Sequence, residues 1–275
     1  MSQLPFRPPV VGLKREMLAG TPKFGMFLGS SSVQLAEVSG FAGIDYLIVD
    51  LEHGEFGDAR SAAEIIRAAD ATGTPVIVRP HENSVGTIAH LLDHGAAGIC
   101  MPHVSNRAEA EAVVANAKYA PDGVRAMTHL VRAAGYTLEG WNEYWRTANE
   151  ETIVMVIIED RSGLENIEEI AAVPGIDAIW VGTGDLSQDA GVPGEMKHPT
   201  MIAAVQKGIE TAQRHGKISF TPLAAPPEGQ EQEVRDAVAS GFQMLAWLDT
   251  IAFAAAVEQM LGSARSATAK SPSAG

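Results

Sequence analysis

Short apolar runs alternate with longer amphipathic stretches along most of the chain. The apolar residues cluster in eight runs that predict β-strands, at 24–29, 45–50, 75–80, 97–102, 152–159, 178–182, 217–222 and 243–248. Between these runs, apolar residues recur every three or four positions, and this period predicts helices. The predicted helices cover residues 59–72, 85–94, 107–117, 163–173, 200–215 and 229–240.

The predicted strands are apolar on both faces, which is typical of parallel strands covered by helices. Eight strand–helix units within about 250 residues favour an α/β fold of the (β/α)8 barrel type. A doubly wound open sheet is the alternative, but no Gly-x-Gly-x-x-Gly motif follows the first strand. We therefore predict a single barrel domain over residues 1–262.

Two segments interrupt this alternation. Residues 119–151 contain several aromatic residues together with proline and glycine, and we expect them to form a long loop and a helix over the mouth of the barrel. Residues 263–275 are mostly small and polar, a composition that predicts a disordered tail.

The composition narrows the class of protein further. Hydrophobic residues make up 46% and charged residues 20% of the 275 residues, which is typical of a globular protein. With 20 basic and 34 acidic residues and no extended basic run, nucleic-acid binding is not expected. No apolar run approaches the ~18 residues of a membrane span and no secretion signal is recognised, so we expect a cytoplasmic protein without membrane contact. The single cysteine, Cys100, excludes intrachain disulfides and cysteine-based zinc sites.

Polar residues follow five successive predicted strands, at the ends where barrel enzymes of this type carry their catalytic groups. In chain order they are Asp50, Glu52 and His53; Arg79, His81 and Glu82; His103; Glu159, Asp160 and Arg161; and Gly182, Thr183, Gly184 and Asp185. Because the carboxyl ends of all strands form one rim, we expect these groups to converge on one site.

Glu159 and Asp185 are the candidates for holding a metal ion. They follow neighbouring strands, and two carboxylates with the remaining positions open to water suit a hard divalent cation such as Mg²⁺ or Mn²⁺. Gly182 and Gly184, beside Asp185, would let the backbone approach a ligand closely. The alternative is that Asp185 only caps the helix that follows it.

His53 and Arg79 are the candidates for acid–base catalysis and for substrate binding. Asp50 lies three residues before His53, and a carboxylate that accepts the imidazole N–H would raise the basicity of the ring. The Arg79 guanidinium matches a substrate carboxylate through two parallel hydrogen bonds. The alternative for Arg79 is a structural salt bridge to Glu52 or Glu82.

Several of these residues lie in longer segments, DYLIVDLEHGEF, PVIVRP, HLLDHGAAGICMPHV, YAPDGVR and VIIEDRSGLENIEEIAAVPGIDAIWVGTGDLSQDAG. These segments resemble the HpcH/HpaI family of class II pyruvate aldolases, and the resemblance extends over residues 10–262. The family includes 4-hydroxy-2-oxoheptanedioate aldolase and 2-keto-3-deoxy-sugar-acid aldolases. The resemblance implies a (β/α)8 barrel of the phosphoenolpyruvate/pyruvate type, assembled as a hexamer (a trimer of dimers) with the last helix exchanged between subunits.

The resemblance implies a divalent metal ion as cofactor, Mg²⁺, Mn²⁺ or Co²⁺, with Glu159 and Asp185 as its ligands. Gly184 and Asp185 match positions whose backbone N–H groups contact the pyruvate part of the substrate. Thr183 stands beside them in the same turn and is assigned to substrate binding with them.

The resemblance also implies the catalytic residues. Arg79 matches the arginine that holds the carboxylate and keto oxygen of pyruvate. His53 matches the acid–base histidine, and Asp50 and Asp93 match the aspartates that support it.

The implied reaction is reversible retro-aldol cleavage of a 4-hydroxy-2-oxo acid to pyruvate, or a close 2-oxo acid, and an aldehyde. Three departures from the family pattern leave the aldehyde open, since Ile157 replaces a usual glutamine, Thr183 a proline and Ala126 a glycine. The alternative is an oxaloacetate decarboxylase or a macrophomate-synthase-like enzyme that uses the same metal-bound pyruvate enolate. A non-catalytic, metal-stabilised barrel is disfavoured because all the matched site residues are present.

Overall fold

Parallel strands form a closed barrel in the computed structural model, which describes residues 12–55, 58–137, 139–224 and 229–269. Within these ranges there are eight strands: β1 (Lys23–Leu28), β2 (Tyr46–Asp50), β3 (Val76–Arg79), β4 (Gly98–Met101), β5 (Ile153–Ile158), β6 (Ala178–Val181), β7 (Ile218–Leu223) and β8 (Met244–Leu248). They pair in chain order, and β1 also pairs with β8, which closes the barrel. The predicted (β/α)8 fold is confirmed, and each strand lies within two residues of its predicted bounds.

Helices surround the barrel and connect consecutive strands. Those in the described part of the chain are α1 (Leu13–Leu18), α2 (Val33–Phe41), α3 (Ala59–Ala71), α4 (Val85–Asp93), α5 (Arg107–Ala117), α6 (Trp141–Glu151), α7 (Arg161–Glu165), α8 (Ile167–Ala171), α9 (Thr183–Asp189), α10 (Pro199–Arg214), α11 (Gln230–Ser240) and α12 (Asp249–Ala269). Many begin at a polar side chain that accepts a first-turn N–H, as Asp58 does for α3 and Asp160 for α7.

The hydrophobic pattern did not predict α1, α2, α9 or α12, although the family resemblance implied a last helix, and the pattern predicted one helix where α7 and α8 stand. The break between α7 and α8 falls at Asn166, whose side-chain amide donates to the Ser105 carbonyl oxygen at 2.9 Å. This bond anchors the junction of α7 and α8 to the segment that follows β4.

Alternate residues of each strand face opposite layers of the fold. Side chains such as Ile48, Ile77 and Ile157 fill the inside of the barrel, and Cys100 lies among them, fully buried. Their neighbours along the strands pack outward against the helices. Both layers are apolar, which explains why the strands lack alternation of polar and apolar residues.

Residues 119–151 lie at the amino-terminal rim of the barrel, so their predicted position over the mouth is wrong. Arg132 pairs with Asp70 and donates to the carbonyl oxygen of His94 at 3.0 Å. Asp70 and His94 stand at the ends of α3 and α4, where the chain turns back toward the amino ends of β3 and β4. Leu138 lies outside the described residues.

The chain remains helical past the end of the predicted domain. Residues 263–269 belong to α12, so the predicted disordered tail is wrong for them, and residues 270–275 lie outside the described part of the chain. Alanine favours helix over coil, and this outweighs the small, polar composition of the segment. Apolar side chains of α12, including Phe253 and Met260, are exposed in the single chain. Among the described residues, no helix has the length and hydropathy needed to span a membrane.

Candidate functional site

The alternation of the strands places three charged side chains inside the mouth of the barrel. Asp50 and Arg79 end β2 and β3, Glu159 follows β5, and each lies two residues after a side chain of the barrel interior. All three are buried, with exposed fractions of 5%, 7% and 6%. Charges at this depth require partners, and the contacts around them define the site.

Asp50 and Arg79 form an ion pair through two hydrogen bonds. Arg79 donates from Nε to Oδ1 at 2.7 Å and from Nη2 to Oδ2 at 2.6 Å, and the two residues are also register partners in the barrel. Nη1 of Arg79 lies 3.1 Å from Oε2 of Glu52. The guanidinium carbon lies 5.1 Å from the ring centre of Phe27 and 5.7 Å from that of Trp180. The salt bridge between Arg79 and Glu52, which the sequence offered as an alternative, is therefore present beside the ion pair with Asp50.

His53 does not receive the predicted support from the Asp50 carboxylate. Its side chain is 64% exposed, and its Nε2 atom lies 3.8 Å from Oε2 of Glu52. Asp50 Oδ1 instead accepts the backbone N–H groups of Glu52 and His53, at 3.1 and 3.3 Å. The Asp50–His53 pairing is a wrong prediction for this chain, because the Arg79 fork occupies both carboxylate oxygens and binds them more strongly. Asp50 orders the loop that carries His53.

Asp93 is also far from His53 within the chain. It ends α4, and a helix that connects two parallel strands ends at the amino-terminal rim, opposite the mouth. There it accepts a hydrogen bond of 2.7 Å from Nη2 of Arg125. The predicted support of His53 by Asp93 is therefore not found within one subunit.

Glu52, His103 and Glu159 form a continuous chain of contacts that sequence analysis did not recognise as a unit. His103 Nε2 lies 2.8 Å from Glu52 Oε1, and His103 Nδ1 lies 3.0 Å from Glu159 Oε1. The backbone N–H of His103 also donates to Glu159 Oε1 at 2.7 Å. Both Glu52 and His103 follow strand ends, and this position is the sequence signal that the two residues share.

Among the cavities that described residues form at the mouth, one contains Arg79 and another contains Glu159. The first, of about 550 Å³, is lined by Phe27, Asp50, His53, Arg79, Trp180, Pro222, Leu248 and Asp249, among others. The second, of about 490 Å³, is lined by His103, Glu159, Asp160, Asp185, Gln188 and Asp189. The structure thus brings Arg79 and His53 to one cavity and the predicted metal ligands to the other.

Asp249 is a further residue of the first cavity that sequence analysis missed. Its carboxylate accepts the backbone N–H groups of Gly29 at 3.2 Å and Ser30 at 3.0 Å. These bonds connect the end of β8 to the end of β1 and fix that part of the rim. Its position directly after an apolar run was the signal that could have identified it.

The environment of Glu159 is suited to a cation. Burial raises the pKa of the Glu159 carboxyl, the backbone N–H of His103 opposes this, and the nearby carboxylates of Glu52 and Asp185 raise it further. A group of carboxylates around one cavity, with an imidazole beside them, is a donor set that divalent ions accept. Within the described residues, Glu52, His103 and Glu159 offer ligand atoms within 4.8 Å of one another.

The turn before α9 depends on a glycine for its close approach to Glu159. A Cβ atom on Gly182 would lie 3.0 Å from Cβ of Glu159 and 3.1 Å from its Oε2. At Gly184, in the first turn of α9, a Cβ would meet no heavy atom within 4 Å. Gly182 is therefore a packing requirement, whereas the surroundings of Thr183, Gly184 and Asp185 are open toward the mouth.

The three departures from the family pattern lie at different depths. Ile157 is fully buried in the barrel interior, two residues before Glu159, so an apolar group stands where a glutamine was expected. Thr183 begins α9 at the mouth. Ala126 follows Arg125, which pairs with Asp93 at the opposite rim, and it lines neither cavity.

Comparisons with known proteins agree on one family. The sequence profile described as "HpcH/HpaI aldolase/citrate lyase" matches residues 23–249. The chain is 38% identical over 185 residues to 2-dehydro-3,6-dideoxy-6-sulfogluconate aldolase of Pseudomonas putida, covering 67% of this chain and 71% of that one. It is 35% identical over 208 residues to 4-hydroxy-2-oxo-heptane-1,7-dioate aldolase of Escherichia coli, covering 74% and 77%. A crystal structure of an HpcH/HpaI aldolase/citrate lyase family protein from Burkholderia cenocepacia is similar with a TM-score of 0.84 and 27% identity, covering 92% of this chain and 98% of that one.

Proposed function

The chain belongs to the HpcH/HpaI aldolase/citrate lyase family, and from this premise we propose that it is a metal-dependent class II aldolase. The reaction is the reversible cleavage of a 4-hydroxy-2-oxo acid to pyruvate, or a close 2-oxo acid, and an aldehyde. The observation that carries the proposal is the placement of a buried arginine and a carboxylate cluster at adjoining cavities of one barrel mouth. Relatives named as aldolases support carbon–carbon bond cleavage as the type of reaction.

Glu159 and Asp185 are the residues that would hold the divalent cation, Mg²⁺, Mn²⁺ or Co²⁺. Both line the same cavity, and the raised pKa of the Glu159 carboxyl reflects burial and carboxylate crowding that a cation would relieve. When bound there, the ion would supply Lewis-acid polarisation of the carbonyl group of a 2-oxo acid.

Arg79 binds the carboxylate and keto oxygen of the 2-oxo acid. A guanidinium has five N–H donors, and Asp50 accepts two of them while Glu52 lies within reach of a third. Asp50 thereby fixes the orientation of the guanidinium, and the remaining donors are available to substrate in the first cavity. A fixed positive charge at this position stabilises negative charge that develops on the keto oxygen during bond cleavage.

His53 transfers the proton of the substrate hydroxyl group. Its imidazole is largely exposed at the edge of the cavity that contains Arg79, where it can reach the part of the substrate distant from the carboxylate. In the cleavage direction the ring accepts the proton of the C4 hydroxyl as the carbon–carbon bond breaks, and the enolate that remains takes up a proton at C3 to give the 2-oxo acid. In the synthesis direction it returns that proton to the aldehyde oxygen.

The turn at Thr183, Gly184 and Asp185 is the proposed contact for the pyruvate part of the substrate. Its backbone N–H groups lie in the first turn of α9, where the helix itself provides no acceptors for them. Trp180, Phe27 and Leu248 form an apolar side of the neighbouring cavity. We assign selection of the aldehyde to this apolar side, because Arg79 and the metal site engage the 2-oxo acid.

The assembly is proposed to be a hexamer, a trimer of dimers in which α12 packs on a neighbouring subunit. The exposed apolar side chains of α12, among them Ile251, Phe253 and Met260, support this arrangement, since exposed apolar residues on one helix favour burial against another chain. The place of action is proposed to be the cytoplasm. Light scattering of the purified protein, with and without residues 250–275, measures the assembly.

The reaction is tested with the purified protein, Mn²⁺ and two classes of substrate. Release of pyruvate from 4-hydroxy-2-oxo acids, and its condensation with members of an aldehyde panel, would support the aldolase. Pyruvate formed from oxaloacetate but from no hydroxy-oxo acid would favour the decarboxylase alternative. Inactivity toward both classes with Mn²⁺, Co²⁺ and Mg²⁺ would overturn the proposal.

A further inference from the structure

His103 has an unusual backbone conformation at the edge of the metal-binding cavity. It follows β4 and Pro102, and its φ angle is 56°, in the left-handed region that residues other than glycine adopt infrequently. Such conformations concentrate at functional sites, where surrounding contacts hold them in place. Here the backbone N–H of His103 donates to Glu159 Oε1 at 2.7 Å, so the carboxylate of Glu159 stabilises the left-handed conformation.

This conformation brings the imidazole ring between Glu52 and Glu159. Its Nε2 and Nδ1 atoms lie 2.8 and 3.0 Å from the two carboxylates. The side chain is nonetheless 60% exposed, because it lines the open cavity that also contains Asp185. The ring is therefore fixed at one edge and accessible from the other.

The separations match those between neighbouring ligands of a metal ion. Two adjacent ligands of an octahedral ion, each about 2.1 Å from the metal, lie roughly 3.0 Å apart. The distance from His103 Nδ1 to Glu159 Oε1 is 3.0 Å. An ion could therefore bind both atoms with little movement of either side chain.

We infer that His103 is a nitrogen ligand of the divalent cation held by Glu159 and Asp185. The inference rests on the proposed function, since it adds a third protein ligand to the site named there. An imidazole nitrogen suits Co²⁺, Ni²⁺ and Zn²⁺ better than Mg²⁺, which prefers oxygen ligands and water. His103 thus biases this site away from Mg²⁺ and toward ions that accept mixed nitrogen and oxygen ligands.

The test measures the coordination of Mn²⁺ directly, on the full-length protein stripped of metal and reloaded. Pulsed electron paramagnetic resonance detects the nitrogen nucleus of an imidazole bound to Mn²⁺. The variants are His103→Gln and, as a matched control, His53→Gln, which changes an equally exposed histidine of the same mouth. Equilibrium dialysis of each protein with Co²⁺ and with Mg²⁺ gives the affinities.

The expected result is a nitrogen coupling in the wild type and in His53→Gln that is absent in His103→Gln. Loss of a protein ligand should also lower the affinity for Co²⁺ by tenfold or more, since even partners that only orient a ligand change metal affinity about 10–100-fold. The affinity for Mg²⁺ should change less. Wild-type protein that binds one Mn²⁺ without nitrogen coupling, or a coupling that persists in His103→Gln, would overturn the inference.

Failure of the proposed function has a different signature. If stoichiometric Mn²⁺ binding survives Glu159→Gln unchanged, the metal site itself is misplaced and both proposals fall. If Mn²⁺ binding needs Glu159 but shows no nitrogen coupling, the metal site stands and only the role of His103 is wrong. Coupling lost in His53→Gln instead of His103→Gln also overturns the inference, because it identifies the other histidine as the ligand.

Discussion

The Asp50 carboxylate and the Arg79 guanidinium meet in two hydrogen bonds, of 2.7 and 2.6 Å, at paired positions of neighbouring strands. The side chains of both residues are more than nine-tenths buried. A pair this buried holds its geometry, because breaking it would leave an uncompensated charge. Asp50 therefore acts on the substrate through Arg79, and it reaches His53 only through the backbone of the loop.

Asp50→Asn should resemble a change of Arg79 more than a change of His53. An amide can accept one hydrogen bond from the guanidinium, but its NH₂ group faces the second donor, so the orientation of Arg79 is lost. We expect the affinity for pyruvate and kcat/KM for cleavage both to fall, as in Arg79→Lys, where the loss should be on the order of 10²-fold. Steady-state kinetics and pyruvate titration of wild type, Asp50→Asn and Arg79→Lys check this. Normal pyruvate binding in Asp50→Asn would contradict it.

His53→Ala should keep bound metal and pyruvate but lose most aldol cleavage, by roughly 10²–10⁴-fold. The decarboxylation of oxaloacetate should suffer less, because release of CO₂ requires no base to remove a hydroxyl proton. Metal content, cleavage and decarboxylation are measured on the same preparation. An equal fall in both reactions with metal retained would assign His53 to substrate positioning instead.

Gly182→Ala should weaken metal binding while the barrel stays folded. The new methyl group would lie 3.0 Å from Cβ of Glu159 and 3.1 Å from its Oε2, so the carboxylate must move. We expect a loss of about tenfold or more in Mn²⁺ affinity, comparable to the effect of disturbing the groups that orient a metal ligand. Gly184→Ala is the control, since its methyl group would meet no heavy atom within 4 Å. Equal affinities in the two variants would argue against this packing role.

The buried ammonium group of Lys118 should make the free energy of unfolding rise with pH between pH 8 and pH 10. Burial lowers the pKa of its ammonium to about 8, although its Nζ donates to the carbonyl oxygens of Asn149 and Thr152 at 2.5 and 2.8 Å. Below pH 8 Lys118 carries its proton in both the folded and the unfolded chain, so its contribution to the free energy of unfolding does not change with pH. Above pH 8 the folded chain loses the proton first, so the unfolded chain binds more protons and the free energy of unfolding rises.

The measurement for Lys118 is the difference in the free energy of unfolding between wild type and Lys118→Met. This difference should grow by roughly 2 kcal/mol between pH 8 and pH 9.5, at about 1.36 kcal/mol per pH unit. Burial raises the pKa values of the Cys100 thiol and the Tyr46 hydroxyl, and their ionisation in the unfolded chain opposes the trend. Both proteins share these two groups, so the subtraction removes them. A difference that stays constant with pH would show that Lys118 remains charged in the folded chain.

The barrel and the residues at its mouth could be predicted because both follow from short-range pattern. Apolar runs define the strands, and the side-chain period of two then places Asp50, Arg79 and Glu159 on the inside of the rim. The choice of partner could not be predicted in this way. Whether Asp50 pairs with Arg79 or with His53 depends on the register between β2 and β3 and on the reach of each side chain.

The errors of prediction share a second cause, which is the long-range path of the chain. Arg125 and Arg132 hold the loop after α5 at the amino-terminal rim through hydrogen bonds to Asp93 and His94. The composition of a loop does not indicate which rim of the barrel it covers. The left-handed backbone of His103 is likewise held by Glu159, a residue 56 positions away. A sequence pattern reports local periodicity, whereas such contacts depend on the assembled barrel.

The most direct test of the proposed metal-dependent aldolase is exchange of the methyl protons of pyruvate with solvent, which nuclear magnetic resonance in deuterium oxide measures. It requires no knowledge of the aldehyde, because removal of a C3 proton and its replacement by a deuteron isolates the half of the reaction that Arg79 and the metal site promote. We expect rapid exchange by wild-type protein with Mn²⁺ or Co²⁺, and none above background after chelation or in Glu159→Gln. Metal-loaded wild-type protein that binds pyruvate but leaves its methyl protons unexchanged would show that the site does not form the enolate of pyruvate.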